Sequence, residues 1–207
     1  MNLEQIQADS LKKWGSDNGN FTHALNFNID ENSIVVDLGA YKGVWAQQII
    51  DRYDPYVYLF EPVPKFYESL LLKFQGNPKV KVFNFGISTT NKKDFIYVNQ
   101  DATSSYITSN DKIEVNFIDF DSIFEVSNFE NIDLIQINIE GEEYPILQKI
   151  SSQENIKKIK NIQIQYHIWI EDAFVKRYNI QNEMSKNFDK TYDYPFVFEG
   201  WKLKQNI

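Results

Sequence analysis

Asp37, Gly39 and Gly43 have a spacing that can bring a backbone turn close to a ligand. They form the pattern Asp-x-Gly-x-x-x-Gly directly after the apolar run 34–36. Two closely spaced glycines after a buried strand let the backbone approach a ligand, and the helix that follows offers its unpaired N–H groups. The glycines are four apart, unlike those of the dinucleotide pattern Gly-x-Gly-x-x-Gly, and an acid stands two residues before the first. The pattern predicts a nucleoside-bearing cofactor, and it fits S-adenosylmethionine better than a dinucleotide.

An acid also follows the second apolar run of the chain. Glu61 comes after residues 57–60, 24 residues beyond Asp37, and Pro62 ends the run. A carboxylate at this position can accept both ribose hydroxyls of a cofactor, although capping of the helix that begins near Pro64 is an alternative role. The predicted cofactor-binding residues are Asp37, Gly39, Ala40, Tyr41, Gly43, Glu61, Pro62, Gly86 and Ile87.

Two later segments alternate between polar and apolar residues. In the first, Gln136, Asn138 and Glu140 share one face and isoleucines the other. The second segment, residues 162–167, places Gln163, Gln165 and His167 on one face in the same way. Burying an unpaired polar group costs about 1–3 kcal/mol, so these polar faces need partners. One helix separates the two segments, which predicts neighbouring parallel strands.

Glu140 and His167 are expected at the carboxyl edge of this sheet, where ligands bind. A histidine within reach of a carboxylate is a candidate general base for deprotonating a hydroxyl, because its ordinary pKa is about 6.5. Gln136 and Gln163 are better interpreted as a structural amide network. His23 lies in a polar segment and is predicted at the surface. Glu140, Glu142 and Glu143 could attract a divalent ion, but acids are favoured at a helix N-terminus, and no metal site is predicted.

Composition limits the class of protein. The 207 residues suffice for one α/β domain, 1–207, and a hydrophobic share of 43% argues against disorder. A net charge of -8 repels phosphate backbones and anionic membranes, so no nucleic-acid partner is expected. Because the sequence has no cysteine and no long apolar segment, we expect no membrane span and a cytoplasmic location.

Strand and helix patterns alternate from residue 33 onward, which predicts a mostly parallel sheet. The predicted strands are 34–38, 56–60, 80–85, 132–139 and 159–167, and the predicted helices are 43–53, 64–74, 142–150 and 173–185. A helical cap over 1–32, with its helix at 2–13, precedes them, and the tail 192–205 suits a closing antiparallel hairpin.

The segment 91–118 breaks this alternation. Two β-like runs, 95–98 and 113–118, surround the polar residues 101–106, and we interpret them as an insertion over the sheet. Ser104, Ser105 and Tyr106 are candidates for an acceptor-binding loop, with an ordinary polar surface loop as the alternative.

Three motifs in order resemble those of the FkbM-type S-adenosylmethionine-dependent methyltransferases. Residues 35–43 are similar to the cofactor loop of that family, 60–62 to its ribose-binding strand end, and 135–143 to its Lys-Ile-Asp-Val-Glu-Gly-Ala-Glu segment. The resemblance implies a Rossmann-like fold with a seven-stranded, mostly parallel sheet and helices on both faces. It also implies methyl transfer from S-adenosylmethionine to a hydroxyl, commonly of a sugar or a glycosylated small molecule.

This chain departs from the family pattern at two positions, with Gln136 where Lys is usual and Asn138 where Asp is usual. If that Asp holds a metal or serves as the base, Glu140 or His167 must take over its role. Residues 163–167 are also similar to a Gln-x-Gln-Phe-His segment of shorter members, which favours His167.

We therefore expect His167 to be the base, Glu140 to orient its imidazole or bind the acceptor hydroxyl, and Asn138 to position cofactor or substrate. One alternative is an NAD-dependent oxidoreductase or epimerase, although the sequence lacks Gly-x-Gly-x-x-Gly and a Tyr-x-x-x-Lys pair. Another alternative is a binding module that keeps the cofactor without turnover, as Gln136 and Asn138 suggest.

Overall fold

The computed structural model describes residues 2–99, 102–104, 112–128 and 130–205. In chain order its elements are α1 (Leu3–Ser16), α2 (Gly19–Thr22), β1 (Ile34–Leu38), α3 (Val44–Tyr53), β2 (Tyr56–Phe60), α4 (Pro64–Lys73), β3 (Val80–Phe83), β4 (Gly86–Ser88), β5 (Lys92–Asn99), β6 (Ala102–Ser104), β7 (Lys112–Asp119), α5 (Ser122–Ser127), β8 (Leu134–Ile137), α6 (Glu143–Ile150), β9 (Asn161–Ile164), α7 (Ala173–Met184), β10 (Phe188–Tyr194) and β11 (Phe198–Leu203).

The main sheet has seven strands in the order β10-β11-β9-β8-β1-β2-β3. Its neighbours are parallel except at β11, which runs antiparallel to both β9 and β10. The predicted seven-stranded sheet with a C-terminal antiparallel hairpin is therefore confirmed. β1 lies between β2 and β8, where the strand order reverses, and ligands bind at the carboxyl ends of strands at such a point.

Alternate residues of β1 enter two separate hydrophobic clusters. Val35 packs with buried residues of α3 and α4, whereas Val36 and Leu38 pack with buried residues of α6 and α7. Successive side chains of a strand point to opposite faces, so helices cover both faces of the sheet as predicted. The apolar run of β1 follows from this double burial, and Leu70 of α4 shares the cluster of Val35, whereas Phe66 packs in a third cluster with Val63.

A second sheet, in the order β4-β7-β5-β6, contains the predicted insertion. The predicted strand 80–85 is wrong beyond Phe83, because the chain leaves the main sheet and pairs Gly86–Ser88 with β7. Gly86 packs directly against the Phe117 ring, where a Cβ would clash. Ser105 and Tyr106 lie outside the described residues, and only the backbone of Ser104 is described, in β6.

The N-terminal helix packs on the C-terminal hairpin through an aromatic cluster. The ring centres of Trp14 in α1 and Tyr194 are 5.0 Å apart, and the His23 ring stacks on Tyr192 with their centres 4.8 Å apart. The surface prediction for His23 is wrong, because these rings leave the imidazole half-buried. Among the described residues, no helix is long and apolar enough to cross a membrane.

Candidate functional site

The loop after β1 is held against two neighbouring strand ends. The backbone N–H of Gly39 donates to Phe60 O at 3.0 Å. Gly39 has a φ of +82°, and a Cβ placed on it would overlap the carbonyl oxygen of Asn138. Gly43 also has a positive φ, and a Cβ there would lie 2.7 Å from Leu70 Cδ2. Both positions therefore require glycine, because the backbone has a positive φ and a neighbouring atom leaves no room for a Cβ.

Glu61 fastens this loop to the start of α4. Its carboxylate is buried, accepting hydrogen bonds from Tyr41 N at 2.8 Å and Val63 N at 2.9 Å. Val63 is the residue before α4, and within the described residues Glu61 accepts no hydrogen bond from an N–H of α4 itself, so Glu61 orders the approach to the helix without capping it. Each carboxylate oxygen has a second lone pair, so the group can still accept hydrogen bonds from two ligand hydroxyls.

Asp37 is a second buried acid at this edge of the sheet. Burial and the nearby charge of Glu61 raise the pKa of Asp37 to about 7. Burial likewise raises the pKa of Glu61 to about 7, although the N–H groups of Val63 and Tyr41 oppose the shift. Two buried carboxyls with raised pKa values favour a ligand that brings hydrogen-bond donors or positive charge to them.

The glutamines of β8 and β9 form a chain of hydrogen bonds that ends at Asp37. Tyr192 Oη donates to Gln163 Oε1 at 2.8 Å, and Gln163 Nε2 donates to Gln136 Oε1 at 2.7 Å. Gln136 Nε2 in turn lies 3.5 Å from Asp37 Oδ1. The structural interpretation of Gln136 and Gln163 is confirmed, because each satisfies the other inside the sheet.

His167 lies between two glutamates beyond the end of β9. Its Nδ1 is 2.9 Å from Glu143 Oε1, and its backbone N–H donates to the same oxygen at 3.0 Å. On the other side, Nε2 is 3.5 Å from Glu140 Oε2. His167 is 4% exposed, whereas the Glu140 side chain is 24% exposed. Glu140 and His167 are thus brought together as predicted, but Glu143 is the residue that holds Nδ1.

The interpretation of Glu143 as a helix N-terminal charge missed this contact. Glu143 is fully buried, and its second oxygen accepts from Gly141 N at 2.8 Å. Glu142 is buried as well and accepts from Ser88 Oγ at 2.9 Å. The available signal was the last Glu of the family segment, which aligns with Glu143.

The charges around His167 set its protonation. Burial disfavours the imidazolium, but the hydrogen bond to Glu143 and the charges of Glu143 and Glu140 outweigh it, so the pKa of His167 is raised. Burial also raises the pKa of Glu140, with the charge of His167 opposing and that of Glu143 reinforcing the shift. Nδ1 lies at hydrogen-bond distance from Glu143 Oε1, whereas Nε2 is 3.5 Å from Glu140 Oε2, so we assign the proton of the neutral ring to Nδ1 and the lone pair to Nε2.

Residues 138–141 connect the two halves of the site. Asn138 N donates to Leu38 O at 3.1 Å, and its carbonyl lies against Gly39. Asn138 Oδ1 is buried without a hydrogen-bond partner among the described residues. Glu140 and Gly141 have positive φ values of 57° and 117°, which turn the chain out of β8 toward His167. The predicted strands end early, at Ile137 and Ile164, because their last residues form this site instead.

The remaining predicted cofactor residues lie at the β2 and β3 ends. Pro62 O accepts from Asn84 Nδ2 at 3.0 Å. Gly86 and Ile87 are buried in β4, where Ile87 belongs to the main hydrophobic cluster. Within the described ranges, no group of three or more His, Asp or Glu residues could hold a metal ion.

Comparisons with known proteins identify the family of this site. The model of the methyltransferase FkbM domain matches residues 37–196. No curated protein matches the sequence. The sequence-family match spans the cofactor loop, Glu61 and the 138–143 segment, and therefore includes both halves of the site.

Several solved structures share the fold. A Methanococcus jannaschii fibrillarin pre-rRNA processing protein is 16% identical over 87% of this chain and 70% of its own, with a TM-score of 0.54. The Streptococcus mutans protein SMU.1697c in complex with SAH is 11% identical over 85% and 91% of the two chains, with a TM-score of 0.53. The METTL16 MTase domain is 9% identical over 93% and 66%, with a TM-score of 0.51. At these identities the likeness shows the Rossmann-like methyltransferase fold alone.

Proposed function

This chain belongs to the FkbM methyltransferase family and is an S-adenosylmethionine-dependent methyltransferase, and from that premise we propose that it methylates a hydroxyl of a sugar or glycan. The observation that carries the proposal is the buried His167, held by Glu143 beside the turn that also contacts the cofactor loop. A hydroxyl is a weak nucleophile until its proton is removed, so its methylation calls for a base in this position.

The residues of the cofactor loop fit S-adenosylmethionine. Gly39 leaves no room for a side chain beside Asn138, and Glu61 keeps lone pairs for two ribose hydroxyls. The buried acids Asp37 and Glu61 suit a cofactor that carries positive charge, and the unpaired Asn138 Oδ1 offers it a further acceptor. Bound S-adenosylmethionine supplies an electrophilic methyl group on its sulfonium. Asp37, Gly39, Ala40, Tyr41, Gly43, Glu61 and Pro62 would hold it.

His167 removes the proton from the acceptor hydroxyl through Nε2. Glu143 is a positioning residue that holds the Nδ1 proton, fixes the ring and stabilises the imidazolium that forms. Glu140, on the Nε2 side and more exposed, accepts a hydrogen bond from a neighbouring hydroxyl of the acceptor and so aligns the reacting oxygen. Asn138 stands where the family usually has Asp, and in this scheme it orients ligands and takes no proton.

A sugar is the acceptor class that the family resemblance implies, and the net charge of -8 disfavours a nucleic-acid acceptor. The family assignment also removes the NAD-dependent alternative. The alternative of a cofactor-binding module without turnover is disfavoured by the family assignment and by the Glu143–His167 contact, which suits catalysis.

The test combines one activity screen with two variants. We expect labelled methyl transfer to a nucleotide sugar or free glycan, a loss of at least about 100-fold in kcat for His167→Ala, and unchanged affinity for S-adenosylmethionine. Glu143→Gln removes the charge that raises the pKa of His167, so the rise of kcat with pH should move to lower pH.

Glu142→Gln is the matched control, because Glu142 is buried next to Glu143 but bonds Ser88. Its pH profile should keep the wild-type midpoint. Near-normal turnover in His167→Ala, with loss of turnover in Glu140→Gln, would transfer the base role to Glu140. Absence of methyl transfer to any hydroxyl acceptor would overturn the proposed function.

A further inference from the structure

A cavity of about 430 Å³ lies between the start of α6 and the loop that leads into α7. Small-molecule sites span roughly 300–1,000 Å³, so this volume suits a single small ring. Its walls include Gly141, Tyr144, Gln148, Trp169, Glu171 and Lys176. None of these residues is among those to which we assign cofactor binding.

Three residues of the cavity lining contact His167 or adjoin Glu140 beside it. The Trp169 ring lies 4.4 Å from the His167 ring, centre to centre, and so forms a wall shared with the base. Gly141 lines the cavity and follows Glu140, which faces His167 Nε2. Tyr144 Oη donates to His167 O at 2.8 Å, which fixes a third wall to the same residue. A molecule in the cavity would therefore lie against Trp169, whose ring contacts the ring of the predicted base.

The lining combines one flat aromatic face with several polar groups. Trp169 is 43% exposed, so it offers an apolar surface to a ligand. Among the described residues, the side chains of Gln148, Glu171 and Lys176 make no hydrogen bond and no ion pair. One cation and one anion leave the lining without net charge, which disfavours a phosphate or carboxylate ligand. Aromatic and hydrogen-bonding groups without net charge match a neutral ring that carries hydroxyls.

We propose that this cavity is the acceptor subsite and binds one neutral sugar ring, with Trp169 packed against its C–H face. Gln148, Glu171 and Lys176 would bond the ring hydroxyls that are not methylated. The inference rests on the proposed function, since it assigns a place to the sugar whose hydroxyl His167 would deprotonate.

The experiment compares Trp169→Ala with Phe174→Ala, because Phe174 is an aromatic residue of similar exposure, 41%, outside the cavity lining. Methyl glycosides of glucose, galactose, mannose, rhamnose and N-acetylglucosamine are the probes. Binding is measured by saturation-transfer NMR without cofactor, and KM is measured for any probe that is methylated. Affinity for S-adenosylmethionine serves as the folding control.

We expect Trp169→Ala to weaken glycoside binding at least about tenfold, which is the scale of a buried aromatic anchor, while Phe174→Ala matches wild type. Gln148→Ala, which leaves the hydrogen bonds of His167 intact, should raise KM with little change in kcat. This second variant separates a subsite from a general disturbance of the base.

The outcomes distinguish the two proposals. Glycoside binding that Trp169→Ala abolishes, without methyl transfer in wild type, would support the subsite and overturn the proposed function. Methylation of a sugar with KM unchanged in both Trp169→Ala and Gln148→Ala would overturn the subsite and leave the function standing. Failure of wild type to bind any of these glycosides would overturn the subsite.

Discussion

Asp37 and Glu61 are neighbouring buried acids at one edge of the sheet, and their ionisation lowers the free energy of unfolding. Burial raises the pKa of each to about 7. A folded-state pKa above the unfolded value means that the folded chain binds more protons than the unfolded chain between the two values. The stability of the unliganded protein therefore falls as pH rises from about 4 to about 7, and the cost is complete above that range.

Asp37→Asn should consequently stabilise the unliganded protein at high pH. The amide keeps an oxygen acceptor for Gln136 and removes the buried charge. We expect the free energy of unfolding to rise by on the order of 1–3 kcal/mol at pH 8 and to change little at pH 4. Urea unfolding at both pH values measures the difference.

Asp51→Asn is the control for this prediction. Asp51 also accepts a glutamine amide, from Gln47 at 2.8 Å, but it is exposed on α3. Its substitution should leave the pH dependence of unfolding unchanged. Equal pH dependence in Asp37→Asn and wild type would contradict the raised pKa of Asp37.

At the scale of elements, the turn after β1 and the turn after β8 are packed against each other. Gly39 touches the Asn138 carbonyl, and Asn138 N donates to Leu38 O. The two turns therefore form one rigid unit at the point where the strand order reverses. Any side chain between them would move the cofactor loop and the Glu140 turn apart.

Gly39→Ala should weaken affinity for S-adenosylmethionine at least about tenfold, because the added Cβ overlaps the Asn138 carbonyl and φ is +82°. Isothermal titration calorimetry measures the dissociation constant. Gly76→Ala is a close control, since Gly76 has a φ of +85° but nothing within 4 Å of its Cβ position. It should cost about 1–2 kcal/mol of stability and leave cofactor affinity unchanged. Equal cofactor affinity in the two variants would refute the close-approach argument.

At the scale of the whole molecule, the N-terminal helices pack against the C-terminal hairpin, which forms one edge of the main sheet. Trp14 packs with Tyr192, Tyr194 and Phe198 of the hairpin, and Gln7 Nε2 donates to Phe196 O at 2.9 Å. The first helix and the last strands thus stabilise each other across the full length of the chain. A single domain over 1–207 stays a prediction.

Trp14→Ala should lower the free energy of unfolding by about 3–5 kcal/mol, because Trp14 is 5% exposed and fills the aromatic cluster. Leu11→Ala in the same helix should change it by less than about 0.5 kcal/mol, since Leu11 is 58% exposed. Urea denaturation of the two variants gives both values. Similar unfolding midpoints would show that α1 adds little to the hairpin.

The repeating elements of the fold could be predicted because they depend on contiguous residues. β1 and β2 match their predicted bounds, since each is a short, mainly apolar run that ends at a glycine or proline turn. The loop at Gly39 and the acid at Glu61 were also predictable, because each directly follows an apolar run in the sequence. A cytoplasmic location, the acceptor class and the absence of a nucleic-acid partner stay predictions.

Tertiary structure alone decided which groups meet across long stretches of chain. Glu143 and His167 are 24 residues apart, and only the packing of α6 beside β9 brings the carboxylate onto Nδ1. The partial burial of His23 and the cavity beside Trp169 depend in the same way on distant elements. The sequence by itself determined the positions of most strands and helices and the cofactor loop, because periodicity and turn chemistry are local. The partners of the base were decided by long-range packing, which no local pattern encodes.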